Sequence, residues 1–187
     1  ESGVARCQLG ASGSAGAGGT SGSAGTSGSG GTSGGTGAPV VMILLDRSSS
    51  MFEGTGDKAW DLAYGALMDP TDGAVTTYED RIRFGFATYR GTNDISVAET
   101  DAACAEMTSV SIATDNRDTI DQQYTALTAA GTNMLQWETP TGHAIVRATT
   151  ALNVYAAGTA RKYLLLVTDG EPNTCRVGDP QCGQDLS

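Results

Sequence analysis

The chain has little histidine, little positive charge and no long apolar run. His143 is the only histidine in 187 residues. The four cysteines, Cys7, Cys104, Cys175 and Cys182, lie at spacings unlike those of zinc sites, so a zinc centre is not expected. His143 falls in the first turn of an expected helix and reads as a surface or capping residue rather than a catalytic base. Lys and Arg total 11 against 21 Asp and Glu, giving a net charge of -10 and a pI near 4.3. The basic residues form no cluster, which argues against nucleic acid and anionic membrane surfaces as partners. No apolar stretch approaches the roughly 18 residues that a membrane-crossing helix needs. The acidity itself is ordinary for a solvated surface.

Large side chains are also missing from one whole region. Every residue from Gly10 to Gly37 is Gly, Ala, Ser or Thr, and the stretch holds 13 of the 26 glycines. It offers nothing to bury against the entropy of ordering, so residues 1–38 are expected to be a flexible linker with ends roughly 30 Å apart. Residues 39–187 then form one domain, large enough for a real core. No signal peptide is visible, which suggests either that one has been removed or that the sequence is a piece of a longer one. An even cysteine count suits an exported protein with disulfides. Arg176 to Gln181, with Gly178 and Pro180, would turn a short loop, so Cys175–Cys182 is the preferred pair. Cys7 ahead of the linker suggests a lipid anchor, but Arg6 sits where a small residue is usual.

The densest signal is Val40-Val41-Met42-Ile43-Leu44-Leu45-Asp46-Arg47-Ser48-Ser49-Ser50-Met51. Six apolar residues in a row read as a strand buried on both faces of a parallel sheet. At its end stand a carboxylate, Asp46, and two hydroxyls, Ser48 and Ser50. Such hard oxygen ligands suit magnesium or manganese. A second run, Tyr163 to Thr168, ends likewise in Asp169-Gly170. Between these runs, Gly56 to Met68 reads as a helix with Trp60, Leu62, Ala63, Ala66 and Leu67 on its apolar face. Arg81 to Tyr89 alternates as a strand, and Ile95 to Ile112 holds a short strand with an irregular insertion around Cys104. Asp115 or Asn116 caps a helix to about Ala130, with Ile120, Tyr124 and Leu127 on one face. Thr141 or Gly142 opens another helix, with Ala144, Ile145, Ala148, Ala151, Leu152 and Tyr155 inward. Strands alternating with helices imply an α/β fold with a mainly parallel central sheet flanked by helices.

Asp46-x-Ser48-x-Ser50 after a strand, a Thr-Pro-Thr opening a later helix and Thr168-Asp169-Gly170 after a second strand together resemble the von Willebrand factor A domain, the integrin I-domain type. The resemblance covers Pro39 to about Cys175 and implies a Rossmann-like fold. In that family these motifs form a metal-ion-dependent adhesion site. Carried over, Ser48 and Ser50 would bind the metal through their hydroxyls, Asp46 and Asp169 directly or through water, and Thr139 from the loop Trp137 to Gly142. Ser49 and Glu138 stand where glycines are common in the family. Thr132, in Gly131-Thr132-Asn133, is a competing loop ligand, with Thr139 preferred because an apolar-faced helix starts right after it. The family fold has further strands and helices beyond the Asp-Gly strand, so the domain is expected to be incomplete at its C-terminal end.

The resemblance implies a magnesium ion, or manganese or calcium, and a protein partner offering an exposed Asp or Glu. It implies no catalysis. The linker and cysteines fit an extracellular, cell-surface or periplasmic location. Two other readings remain: a divalent-metal hydrolase, for which Glu53, Asp57 and Glu171 are nearby carboxylates, and a subunit of an ATP-driven complex. Simpler patterns fail. Met51 stands where an EF-hand loop needs Gly. Ser48 stands where a strand-end aspartate phosphatase needs its second Asp. The G-x-S-x-G match at 31–35 lies within the linker, with no strand before it.

Overall fold

The computed structural model describes residues 37–92, 102–129, 138–155 and 158–172. Nearly all of the expected linker, Thr132, and the cysteines Cys7, Cys175 and Cys182 lie outside these residues. The preferred Cys175–Cys182 pair therefore lies outside them too. Cys104 is buried and is not a free thiol.

Four strands form one sheet: β1 (Val40–Asp46), β2 (Arg83–Arg90), β3 (Glu106–Ala113) and β4 (Lys162–Val167), in the order β3-β2-β1-β4. β1 runs parallel to both β2 and β4, and β3 is antiparallel to β2. The helices are α1 (Ala59–Met68), α2 (Ala74–Tyr78), α3 (Arg117–Ala129) and α4 (Thr141–Val154). This is the expected mainly parallel, Rossmann-like α/β arrangement, with helices on both faces of the sheet.

Alternation along the strands builds two cores. Ile43, Leu45, Phe84 and Phe86 face one side, where they meet Trp60, Leu67, Val75, Ile120 and Tyr124 from α1, α2 and α3. Val40, Met42, Leu44, Ala87 and Tyr89 face the other, where Ala144, Ala148 and Leu152 of α4 cover them. The first core is knitted by rings. Trp60 stacks on Phe52 at 4.6 Å and tilts against Tyr124 at 4.5 Å. The Tyr124 hydroxyl donates to the Trp60 carbonyl at 2.8 Å, so the polar tip of this buried ring is satisfied.

Several local expectations change. α1 begins at Ala59 rather than Gly56, and it buries Trp60, Ala63 and Leu67, a 3-then-4 spacing that leaves Leu62 and Ala66 exposed. On α4, Ala144, Ala148 and Leu152 hold the buried stripe, and Ala151 is exposed. Asn116 precedes α3, but its side-chain amide donates to the Phe84 and Ser111 carbonyls, both at 2.8 Å, and so bridges β2 and β3. The Glu79 carboxylate caps α3 instead, accepting from the Arg117 backbone N–H at 2.8 Å. β4 is less buried than its apolar sequence suggests. It is the outer strand among the described residues, and Tyr163, Leu165 and Leu166 are 47%, 43% and 36% exposed.

Candidate functional site

Asp46, Ser48, Ser50 and Asp169 do converge. The parallel pairing of β1 with β4 aligns Leu45 with Val167, so the two strands end at the same rim of the sheet. Asp46 is fully buried, and its Oδ1 accepts the Ser48 backbone N–H at 2.7 Å, curling the chain back over the strand end. Residues Ser49–Phe52 then make one tight helical turn. That turn carries Ser50 back toward β4, where its Oγ donates to Asp169 Oδ1 at 2.9 Å. Ser48 Oγ and Ser50 Oγ are 3.1 Å apart. Thr168 Oγ1 closes the ring by donating to Asp46 Oδ2 at 2.7 Å.

The result is two carboxylates linked through the Ser48 backbone N–H and the hydroxyls of Ser48, Ser50 and Thr168. Burial raises the pKa of Asp46, and the charge of Asp169 adds to that; hydrogen bonds from Ser48 and Thr168 oppose it. No basic group is among the influences on Asp46. A buried anion facing a second anion, with no counter-charge, is costly in isolation. A divalent cation would supply that counter-charge, and the carboxylates of Asp46 and Asp169 with the hydroxyls of Ser48 and Ser50 are the kind of hard donors it prefers. Among the described residues no three His, Cys, Asp or Glu side chains gather as a metal site. A set of two carboxylates with hydroxyls is outside that pattern.

Thr139 is buried, and its loop is fastened to the neighbouring strand end. The Gly91 N–H donates to the Glu138 carbonyl at 3.1 Å, and the Thr141 N–H to the Thr139 carbonyl at 2.7 Å. The link from this loop to Asp46 is Tyr89. Tyr89 is the register partner of Asp46 on β2 and is fully buried. Its hydroxyl lies 2.9 Å from Thr141 Oγ1 and also interacts with Thr168 and Asp46. Burial, then the charge of Asp46, pushes its pKa up to about 12, so it stays a neutral hydrogen-bonding group.

Tyr89, Thr141 and Thr168 were not among the expected site residues. Thr168 sits inside a motif that the sequence displays, one residue before Asp169. Tyr89 carries a weaker signal: a polar-tipped aromatic at the end of the strand that pairs with β1. Arg47 was also passed over. Burial and then the charge of Arg90 lower its pKa to about 10, with Glu106 partly offsetting them. A hollow of about 410 Å³ between α4 and strands β2 and β3, lined by Met42, Met107, Ile112, Arg147 and Tyr155 among others, shares no residue with this rim.

No family model matches the chain, and no curated protein matches it. Among solved structures, the pilus adhesin SpaC of Lactobacillus rhamnosus GG is similar in fold, with a TM-score of 0.51 at 20% identity. The match covers 73% of this chain and only 16% of that adhesin.

Proposed function

We propose that this chain carries a metal-ion-dependent binding module that recognises an acidic group on a protein partner and catalyses no reaction. The observation that carries this reading is the ring Asp46–Ser48–Ser50–Asp169–Thr168, in which one backbone N–H and three hydroxyls link two carboxylates and no basic group offsets the charge of the buried one. Asp46, Ser48, Ser50, Thr139 and Asp169 would hold the ion, magnesium by preference. Bound with only two anionic side chains, the ion would keep enough electrophilicity to accept a carboxylate from outside. The fold likeness to a pilus adhesin and the resemblance to the von Willebrand factor A domain support an adhesive role. The Gly/Ser/Thr linker and the cysteines fit a module held away from a cell surface.

Manganese titration by calorimetry tests the reading. The wild-type chain binds one ion, and Asp169→Ala and Ser50→Ala weaken it by about tenfold or more. A wild-type chain that takes up no manganese or magnesium at millimolar concentration rejects the proposal.

A further inference from the structure

The metal-loop sequence Asp46-Arg47-Ser48 places an arginine between two expected ligands, and its side chain is unusual. The Arg47 N–H donates to the Tyr89 carbonyl at 2.8 Å, which sets the residue beside Arg90 on the next strand. Arg90 in turn pairs in register with Glu106 and donates to its Oε2 from Nε at 2.9 Å and Nη2 at 2.7 Å. Arg47, Arg90 and Glu106 thus form a row across three strand ends. Glu106 is engaged by the guanidinium of Arg90. The Arg47 guanidinium has no hydrogen bond or ion pair among the described residues, and its Nε is shielded from water without a partner. A half-buried guanidinium without an acceptor, pressed by a second arginine, is costly unless an anion meets it. The chain's net charge of -10 makes such a residue next to an expected ligand site still less ordinary.

We propose that Arg47 is an anion subsite beside the metal position, so that the preferred partner segment presents two acidic side chains, one for the ion and a second for Arg47. This rests on the binding role assigned above. A guanidinium accepts a carboxylate in a planar, two-pronged geometry that lysine does not reproduce. On an extended segment, side chains two residues apart point to the same side, so a second carboxylate two residues on can face the same loop.

The test uses acetylated, amide-capped peptides, Gly-Asp-Gly against Gly-Asp-Asp and Gly-Asp-Gly-Asp, titrated into the whole chain loaded with manganese. The expected result is a preference of about three- to fivefold for a two-Asp peptide, the scale of a partly solvated ion pair. Arg47→Met should erase that preference while leaving manganese affinity and binding of the one-Asp peptide unchanged. Arg47→Lys should keep part of it. A wild type that does not discriminate, or a preference that survives Arg47→Met, overturns the subsite while leaving the metal site standing. Arg47→Met that loses manganese itself also overturns it, since the residue then serves the loop and not the ligand. A wild type without manganese binding overturns the underlying reading, and the subsite falls with it.

Discussion

Asp46→Asn should reverse the sign of its effect on stability according to whether a divalent ion is present. The substitution keeps the shape of the side chain. Asn Oδ1 can still accept the Ser48 N–H, now at 2.7 Å, and the amide can donate to a Thr168 hydroxyl that presently donates to Asp46. What disappears is a buried negative charge. Because burial raises the Asp46 pKa, the ionised carboxylate opposes folding at neutral pH in the ion-free protein. In EDTA the Asn variant should therefore melt at or above the wild-type temperature. With magnesium at a hundredfold excess over its dissociation constant, the wild type gains about 2.7 kcal/mol. For a domain of this size that is about 5–10 °C in Tm. The Asn variant, lacking one of two anionic ligands, should gain almost nothing.

Scanning calorimetry of both proteins, in EDTA and in a magnesium series, reads the crossover directly. Two results refute the reasoning. One is a wild-type melt that is the same in EDTA and in magnesium. The other is a variant that already melts well below the wild type in EDTA, which would make Asp46 a structural cap rather than an uncompensated ligand. The second result discriminates most sharply, because an aspartate that merely caps a turn is needed at all metal concentrations.

Tyr89→Phe removes one hydroxyl from the junction between Asp46 and Thr141; manganese affinity should fall by about tenfold, and a lower melt in EDTA with unchanged affinity would contradict a positioning role. Trp60→Ala should cost about 3–5 kcal/mol in urea unfolding, because the ring is 1% exposed and packs on Phe52 and Tyr124. Gly73→Ala should destabilise measurably, since an added Cβ would sit 2.7 Å from the Asp69 carbonyl oxygen and 2.8 Å from that of Leu67, both backbone atoms. Backbone N–H groups of Thr71 and Asp72 lower the Asp69 pKa, so its contribution is present above about pH 4 and is lost as pH falls further; acid unfolding of Asp69→Asn should show a shallower decline below that point.

The parts of the site that the sequence displays are those made by strand ends. A run such as Val40 to Leu45 has few alternatives to a buried strand, and an Asp that stops it must lie at the rim. The same holds for Asp169 after Tyr163 to Val167. The tertiary junction was not legible. Tyr89 differs from any strand tyrosine only through its register with Asp46, and register is a property of two strands. Asn116 looks like a cap because Asn usually is one, yet two carbonyls of the sheet compete successfully for its amide. α2, five residues with two threonines and a valine, carries no helical period to detect. The exposure of β4 depends on what flanks the strand, and an apolar run encodes only that something should.

The sheet order also explains why the site lies here. β1 is followed by α1 on one face before the chain returns as β2, and β4 is preceded by α4 on the opposite face. Connections leaving β1 and entering β4 therefore part to opposite sides, the place where open α/β sheets bind their ligands. Asp46 and Asp169 stand at the ends of these two strands, with Ser50 on Asp169 and Ser48 on Asp46 linked between them. A hydroxyl can sit between two strand ends in a way a third carboxylate could not, since it donates to one anion while leaving lone pairs for a cation. Ser50→Asp should therefore be worse than Ser50→Ala for folding in EDTA: it adds a third negative charge against Asp169 where the serine now donates at 2.9 Å. Magnesium should narrow the gap between these two variants, because the variant with the added carboxylate gains more from the ion than the alanine variant does, and a gap that is indifferent to magnesium would show that no cation reaches this rim.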